Sequence, residues 1–304
     1  MTLAIEASGL TKRYGSTTAV ADLNLRIEAG QVFGFLGPNG AGKSTTIRML
    51  LALQRPTQGK ATLLGLDAAA DSVEIHRHIG YLPGDLELFP RLTGRQHISW
   101  FLHARGVQDN SLARQLAERF EVVLDRPVRE LSKGNRQKIG LVLAFMHQPE
   151  LLVLDEPTSG LDPLVQHEFE KLLRETADQG RTVFLSSHDL DEVQRVTDRI
   201  GIIKEGRLVA EDTVDGLRRA APRTMEVRFR HAFDPTDLKA VTGVTVTARE
   251  GPRVTLQVTG EIGPVLKVIA SHDPVDLISR PADLDELFLD FYRDPAEPEV
   301  SHAD

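Results

Sequence analysis

Short apolar runs alternate with longer stretches of helical spacing along most of this chain. Residues 3–36 read as strands: LAIEASGL, then AVADLNLRIEAG with apolar residues at alternate positions, then QVFGFLG. A helix is predicted from Lys43 through Ala52, because Thr46 to Leu53 carries apolar residues at helical spacing and Pro56 follows. GKATLLGL, Gly59 to Leu66, reads as a strand and turn. From Leu92 to about Asp125 the pattern is helical, with amphipathic segments GRQHISWFLHARG and NSLARQLAERF. LLVLD (Leu151 to Asp155) and TVFLS (Thr182 to Ser186) are unbroken apolar runs of strand length, followed by the helical patterns PLVQHEFEKLLRETADQG and DLDEVQRVTD. RIGIIKEGRLVAED is predicted to be a hairpin turning at Glu205-Gly206. Strands alternating with helices predict an α/β fold with a mostly parallel sheet covered on both faces.

The pattern changes around Arg218 to Arg223. After it come MEVRFR, DPTDLKAV, VTVTARE, RVTLQVTG, EIGPVLKVIASH, PVDLISR and DLDELFLDFY, in the order strand, short helix, two strands, helix, strand, helix. That order predicts a separate small α+β domain of ferredoxin-like type. The expected boundaries are 1–220 for the first domain, with helical residues at about 86–140, then 221–294 for the second. A disordered tail is expected at 295–304.

Composition narrows the function classes. There is no cysteine, so disulfides and thiolate metal sites are excluded, which fits a reducing compartment. A net charge of −8 argues against bulk affinity for nucleic acid, whose phosphates repel an acidic surface. MTLAIEASGLTKRYG does not read as a signal peptide. The longest apolar run, Ile139 to Met146, falls well short of the ~20 residues that span a bilayer and reads as a buried helix.

GPNGAGKS, Gly37 to Ser44, has the spacing G-x-x-x-x-G-K-[ST] and lies between a predicted strand and a predicted helix. Glycines let backbone N–H groups converge on phosphate oxygens, and the helix beginning at Lys43 adds its positive end. Lys43 is suited to neutralise β- and γ-phosphates and Ser44 to ligate Mg²⁺. A chance match somewhere in a chain of this length has odds of about one in a hundred, and the strand–helix context lowers them further.

LLVLDEP puts Asp155 and Glu156 at the end of a buried strand, the edge of a parallel sheet where ligands sit. Uncompensated charge is costly in a core, so the pair reads as a site: Asp155 to hold Mg²⁺, Glu156 to take a proton from attacking water. His188, after TVFLSS, ends another buried strand. Alone, such a histidine is more often structural than catalytic. Beside a phosphate loop and two carboxylates it reads as a contact to the γ-phosphate.

GPNGAGKST, LSKGNRQ (from Leu131), LLVLDEP, SGLD and SSHD, in this order, resemble an ABC transporter ATP-binding subunit over about residues 3–220. The resemblance implies a P-loop NTPase fold in which the mostly parallel sheet is joined by an antiparallel β subdomain and a helical subdomain. It implies ATP and Mg²⁺ as cofactors, with Tyr14 stacking on adenine and Gly37, Pro38, Asn39, Gly40, Ala41, Gly42, Lys43, Ser44 and Thr45 binding the phosphates. Ser44 and Asp155 would hold the metal, and Glu156 and His188 would be catalytic. Ser132, Lys133, Gly134 and Asn135 would form the signature that meets the ATP of an opposing subunit, with Asp162 communicating across the dimer. The chain has one motif set, so a second ATP-binding subunit is expected, a homodimer being the simplest form. YLPGDLELFPRLTGRQ resembles exporters of drug or antibiotic type that pair with a separately encoded multi-spanning permease, with Leu86, Leu88, Phe89, Pro90 and Leu92 facing a permease helix. A peripheral location on the cytoplasmic side of the cell membrane would follow.

Two departures stand out. Gly84 occupies the position where the family usually has a glutamine near the metal, with Asp85 and Glu87 as the nearest acids. The signature is LSKGN in place of LSGGQ. The competing readings are a soluble ATPase of the same family acting on ribosomes or DNA, and a P-loop kinase. The first usually carries two motif sets or basic arms, and the second gives no reason for LSKGN and SGLD.

Overall fold

The strand patterns in the sequence become three sheets in the structure, a computed structural model that describes residues 2–220 and 222–280. The chain falls into two units, Met1–Glu211 and Asp212–Asp304. The first unit opens with β1 (Leu3–Tyr14), β2 (Thr17–Glu28), β3 (Val32–Leu36), α1 (Lys43–Leu50), β4 (Gln58–Leu63) and β5 (Leu66–Asp67). Next come α2 (Ser72–His78), β6 (Ile79–Leu82), α3 (Gly94–Ala104), α4 (Ser111–Arg119), a 3₁₀ turn at Val128–Glu130 and α5 (Lys133–Phe145). The unit continues through β7 (Leu151–Asp155), α6 (Pro163–Asp178), β8 (Thr182–Ser187), α7 (Leu190–Val196), β9 (Arg199–Lys204) and β10 (Arg207–Thr213).

Strand burial follows the sequence pattern. Along β2, Val20, Leu23, Leu25 and Ile27 are buried while Asn24 and Arg26 are exposed, as expected of a strand in a sheet with one wet face. It joins an antiparallel sheet of order β2-β1-β4-β5. Every residue of β3, β7 and β8 is buried, because helices cover both faces of the six-stranded sheet β10-β9-β3-β8-β7-β6. In that sheet β3, β6, β7, β8 and β9 run parallel. Ile47, Met49 and Leu50 of α1 share one core with Leu10, Leu23 and Leu25 of the antiparallel sheet and Phe35, Val153 and Phe184 of the parallel one. At roughly 1.5–3 kcal/mol for each large side chain fully buried, this shared core fixes α1, and the loop that precedes it, against both sheets.

Two local differences from the sequence expectation have simple causes. The first helix stops at Leu50 rather than Ala52, because Ala52 turns to φ 54 and donates its N–H to Met49 O at 3.1 Å. The helix α2 has no counterpart in the periodicity: only Ile75 of its seven residues is buried.

The second unit holds α8 (Val214–Ala220), β11 (Arg223–Phe229), α9 (Thr236–Lys239), β12 (Val244–Glu250), β13 (Arg253–Val258), α10 (Gly263–Ala270) and β14 (Pro274–Ser279). From β11 on, the order is βαββαβ, and the sheet order β12-β13-β11-β14 is antiparallel throughout, the ferredoxin-like arrangement. Its core, with Met225, Val227, Leu256 and Ile269, is its own. The expected final helix DLDELFLDFY and the tail from Pro295 lie outside the described residues.

Candidate functional site

Register brings the motifs to one edge. Parallel pairing sets Leu36 of β3 opposite Ser187 of β8, and Asp155 of β7 opposite Ser186 of β8. The phosphate loop, the two carboxylates and His188 therefore leave three adjacent strands at the same end. Gly37 N donates to Ser187 O at 3.1 Å, tying the start of the loop to the strand that ends in His188.

The loop is held from outside. A Cβ on Gly42, which sits at φ 107, would stand 2.6 Å from Ala19 O, and one on Gly37 would stand 2.6 Å from Ile203 O. Gly206 N donates to Ala41 O at 2.9 Å. The turn between β9 and β10 thus braces the loop, and only residues without side chains fit against it. Pro38, Asn39 and Gly40 are exposed, and Ser44 and Thr45 are half-buried in the first turn of α1. Gly42 caps that helix without a side-chain hydrogen bond, so its first-turn amides have no acceptor within the helix. The Lys43 side chain is buried, its Nζ donating to Gly37 O at 2.5 Å and Pro38 O at 3.2 Å and lying 3.2 Å from Glu156 Oε1.

Asp155 is buried and its Oδ1 accepts from Ser186 Oγ at 2.5 Å. Its Oδ2 faces Gly84, where an added Cβ would stand 3.2 Å away. Asp85 and Glu87 are exposed. Glu156 has φ 49, a conformation that costs a non-glycine residue of order 1–3 kcal/mol. Its N–H is held by Ser186 O at 3.2 Å and Ser186 Oγ at 3.1 Å. Glu156 Oε2 meets His188 Nδ1 at 2.7 Å, while Oε1 is buried with no hydrogen bond beyond the ion pair to Lys43. Lys43, Glu156 and the exposed His188 form one line.

The hairpin end that carries Tyr14 lies beside the loop, since Val20 of β2 pairs with Lys12 and also packs on Gly42. Tyr14 is half exposed, with Lys12 Nζ 5.2 Å from its ring centroid and Gln54 donating to its hydroxyl.

The signature residues stand apart. Ser132 caps α5, its Oγ accepting from Asn135 N at 3.2 Å. Lys133 Nζ donates to Ser159 Oγ at 2.8 Å. A Cβ on Gly134 would meet Gly160 O at 2.4 Å, so this glycine permits close packing of α5 on the SGLD turn. The buried Asn135 side chain is bonded to the Val123 backbone, accepting from N at 2.8 Å and donating to O at 3.1 Å. Asp162 caps α6 through Val165 N at 3.0 Å and lies 3.6 Å from Lys138 Nζ; the Val165 amide, followed by Lys138, lowers its carboxyl pKa. Among the described residues, none of these bonds reaches the phosphate loop.

Several contributors are invisible in the motifs. Gln137 donates from Nε2 to Pro157 O at 2.9 Å and Glu156 O at 3.3 Å, joining α5 to the carboxylate turn. Ser186 holds both acids. Only the strand order makes these roles readable.

The arrangement fits a magnesium–nucleotide. It offers a bare cradle open at Gly40, a buried cation lying on loop carbonyls, and a buried carboxylate oxygen without a hydrogen bond. Among the described residues no group of three or more His, Asp or Glu could hold a metal alone. A cation here would take Ser44, Asp155 and the phosphates themselves, the donor set of a hard ion.

A family model described as "ABC transporter" matches residues 20–159. Over 219 residues the chain is 38% identical to the "Probable multidrug ABC transporter ATP-binding protein YbhF" of Escherichia coli (strain K12), covering 70% of this chain and 38% of that protein. It is 33% identical over 311 residues to the "Daunorubicin/doxorubicin resistance ATP-binding protein DrrA" of Streptomyces peucetius, covering 97% of this chain and 94% of that one. A solved structure described as "Structure of ATP binding subunit of ABC transporter" superposes with a TM-score of 0.65 at 31% identity, over 71% of this chain and 92% of that one.

Proposed function

This chain belongs to the ABC transporter ATP-binding family, and from that premise we propose that it binds and hydrolyses ATP to drive export through a separately encoded permease. The observation that carries the chemistry is the line from Lys43 through Glu156 to His188, with separations of 3.2 and 2.7 Å, at the joined ends of β3, β7 and β8. The relatives' names speak for transport rather than for a soluble ATPase on ribosomes or DNA.

In this reading Lys43 exchanges the Gly37 and Pro38 carbonyls for β- and γ-phosphate oxygens, joined by the first-turn amides of α1. That move takes the ammonium off Glu156 Oε1 and leaves this oxygen as the acceptor for a proton from water. His188 keeps the other oxygen. Magnesium, held by Ser44 and Asp155, would supply charge neutralisation between the β- and γ-phosphates. Gly84 itself brings no side chain to Asp155 Oδ2, from which an added Cβ would stand 3.2 Å. Tyr14 offers adenine the ring face away from Lys12.

Ser132 and Lys133 bond locally, and in the proposal they meet the nucleotide of a second copy, with Asp162 at the same face. A cleft of about 340 Å³ between the sheet and α3–α5, lined by Tyr81, Leu86, Leu88 and Phe101, takes a permease helix. Phe89 is exposed beside it, stacked on His97 with Trp100 edge-on. Pro90 and Leu92 instead bond the 3₁₀ turn, through Arg129 N and Val128 N, and serve the helical packing. The drug and antibiotic functions named for the relatives make drug-like molecules the proposed cargo, and the cytoplasmic membrane face the proposed location.

The test is Glu156→Gln, which keeps the shape and removes the base. The variant should bind MgATP as the parent does and lose about 10²–10⁴ in turnover. Hydrolysis near the parent rate would remove Glu156 from the role.

A further inference from the structure

Three strongly charged side chains are buried among the described residues: Lys43, Asp155 and Glu192. The site described above uses the first two. Glu192 lies in the first turn of α7, where its backbone N–H is capped by Asp189 Oδ1 at 3.0 Å, and it is 7% exposed. A carboxyl kept in such a place is costly unless it is bonded, so its partners indicate its purpose.

Oε2 accepts from Ser187 Oγ at 2.8 Å. Ser187 is the last residue before His188. Its Oγ also accepts from Asp189 N at 3.0 Å, and its carbonyl takes the first amide of the phosphate loop, Gly37 N. The backbone on both sides of His188 is thus fastened to Ser187, and Ser187 is fastened to Glu192. The other oxygen, Oε1, is buried without a hydrogen bond, and the Thr158 hydroxyl lies near the carboxyl. Thr158 is itself buried and stands two residues after Glu156, at the start of the turn that runs through Ser159 to Asp162. Burial is the main cause that raises the Glu192 pKa, and the Ser187 and Thr158 hydroxyls oppose it. The carboxyl therefore sits between the two chain segments whose side chains, His188 and Glu156, meet at 2.7 Å.

We infer that Glu192 is a positioning residue for hydrolysis, a buried acceptor that fixes Ser187 and, through the bonds Ser187 makes to Asp189 N and Gly37 N, holds the His188 ring on Glu156. Buried as it is, it acts through Ser187. The role rests on the proposed ATPase function, because a held His188 matters only if Glu156 activates water. What it contributes is alignment, and a misplacement of about 1 Å near a reacting centre costs on the order of 10²-fold in rate.

The experiment compares Glu192→Ala, Ser187→Ala and Glu192→Gln in the full chain. For each, ATP turnover, affinity for the fluorescent analogue TNP-ATP and the imidazole resonances of His188 by ¹⁵N NMR are measured. Both alanine variants should lose about 10–100-fold in kcat, keep TNP-ATP affinity within about twofold, and move the His188 resonances in the nucleotide-free protein. Glu192→Gln, which retains an acceptor for Ser187, should restore kcat and the parent resonances. The inference is overturned if folded Ser187→Ala shows parent turnover and unmoved His188 signals, or if Glu192→Gln behaves like alanine. Should Glu192→Ala not fold, the Ser187 and Gln variants decide. Should the parent chain itself fail to hydrolyse ATP, the functional reading fails and the His188 spectra alone judge the positioning.

Discussion

At the scale of single residues, the site is built from groups that hold one another before any ligand arrives. Lys43 neutralises the proposed base, Ser186 fixes both acids, and Glu156, at a strained φ, gives one oxygen to Lys43 and the other to His188. Asn135 shows how a motif position acquires a different task. Its two hydrogen bonds to the Val123 backbone tie the first turn of α5 to the chain that follows α4. Asn135→Ala would remove the partner of the Val123 N–H and C=O, which lie on an exposed residue, and is expected to cost on the order of 1 kcal/mol, read as a lower urea midpoint, with MgATP affinity unchanged. Weaker hydrolysis at full stability would instead return Asn135 to the phosphate. The motif residues Gly37 to Thr45, Asp155, Glu156 and His188 could be read from the chain because their chemistry is local: a spacing, a strand end, a residue type. Ser186, Ser187, Gln137 and Glu192 could not. A serine or glutamine in an apolar run says nothing until strand order shows what lies opposite.

At the scale of elements, the same limit appears in reverse. The unbroken apolar runs of β7 and β8 and the alternation in β2 specify sheet type, since burial on two faces and on one face leave different patterns. The second unit's βαββαβ order could be read in the same way. The short helix α2 could not, because one buried residue makes no period. The element that matters most for mechanism is α5. Its first turn carries Ser132 and Lys133 outward, while Gly134 presses on Gly160 O and Lys138 faces Asp162, so α5 and the SGLD turn form one rigid face. With Ser132 exposed at that face, Ser132→Arg should leave the fold and nucleotide binding intact. If the face completes a second copy's site, the substitution abolishes cooperative hydrolysis, seen as loss of the Hill slope and of turnover in ATP titrations. Full activity in the folded variant would mean that each chain hydrolyses ATP alone.

At the scale of the whole molecule, the question is what the energy drives. None of the helices formed by the described residues is long and apolar enough to cross a membrane, and in the proposed role a partner permease provides the path. The surface suited to that partner is the cleft beside α3. Leu86 and Leu88 are only part of it, because Leu86 also packs over Gly140, where a Cβ would stand 2.5 Å away, and Leu88 packs on the small core around Val128 and Ile139. Substituting either would confuse docking with folding. Phe89 separates the two: it is 58% exposed and contributes little to the core. A charged residue there should leave stability within the ±0.5 kcal/mol typical of surface changes while placing an unpaired carboxylate where a hydrophobic helix must settle. The tagged parent chain, purified from its native cell in mild detergent, should bring down a multi-spanning membrane protein in stoichiometric amount. Phe89→Asp should bind MgATP equally well and recover much less of that protein. If the parent comes only from the soluble fraction with ribosomal or DNA-associated proteins, the exposed aromatics around Phe89 are packing for the helical subdomain, and the permease proposal falls with them.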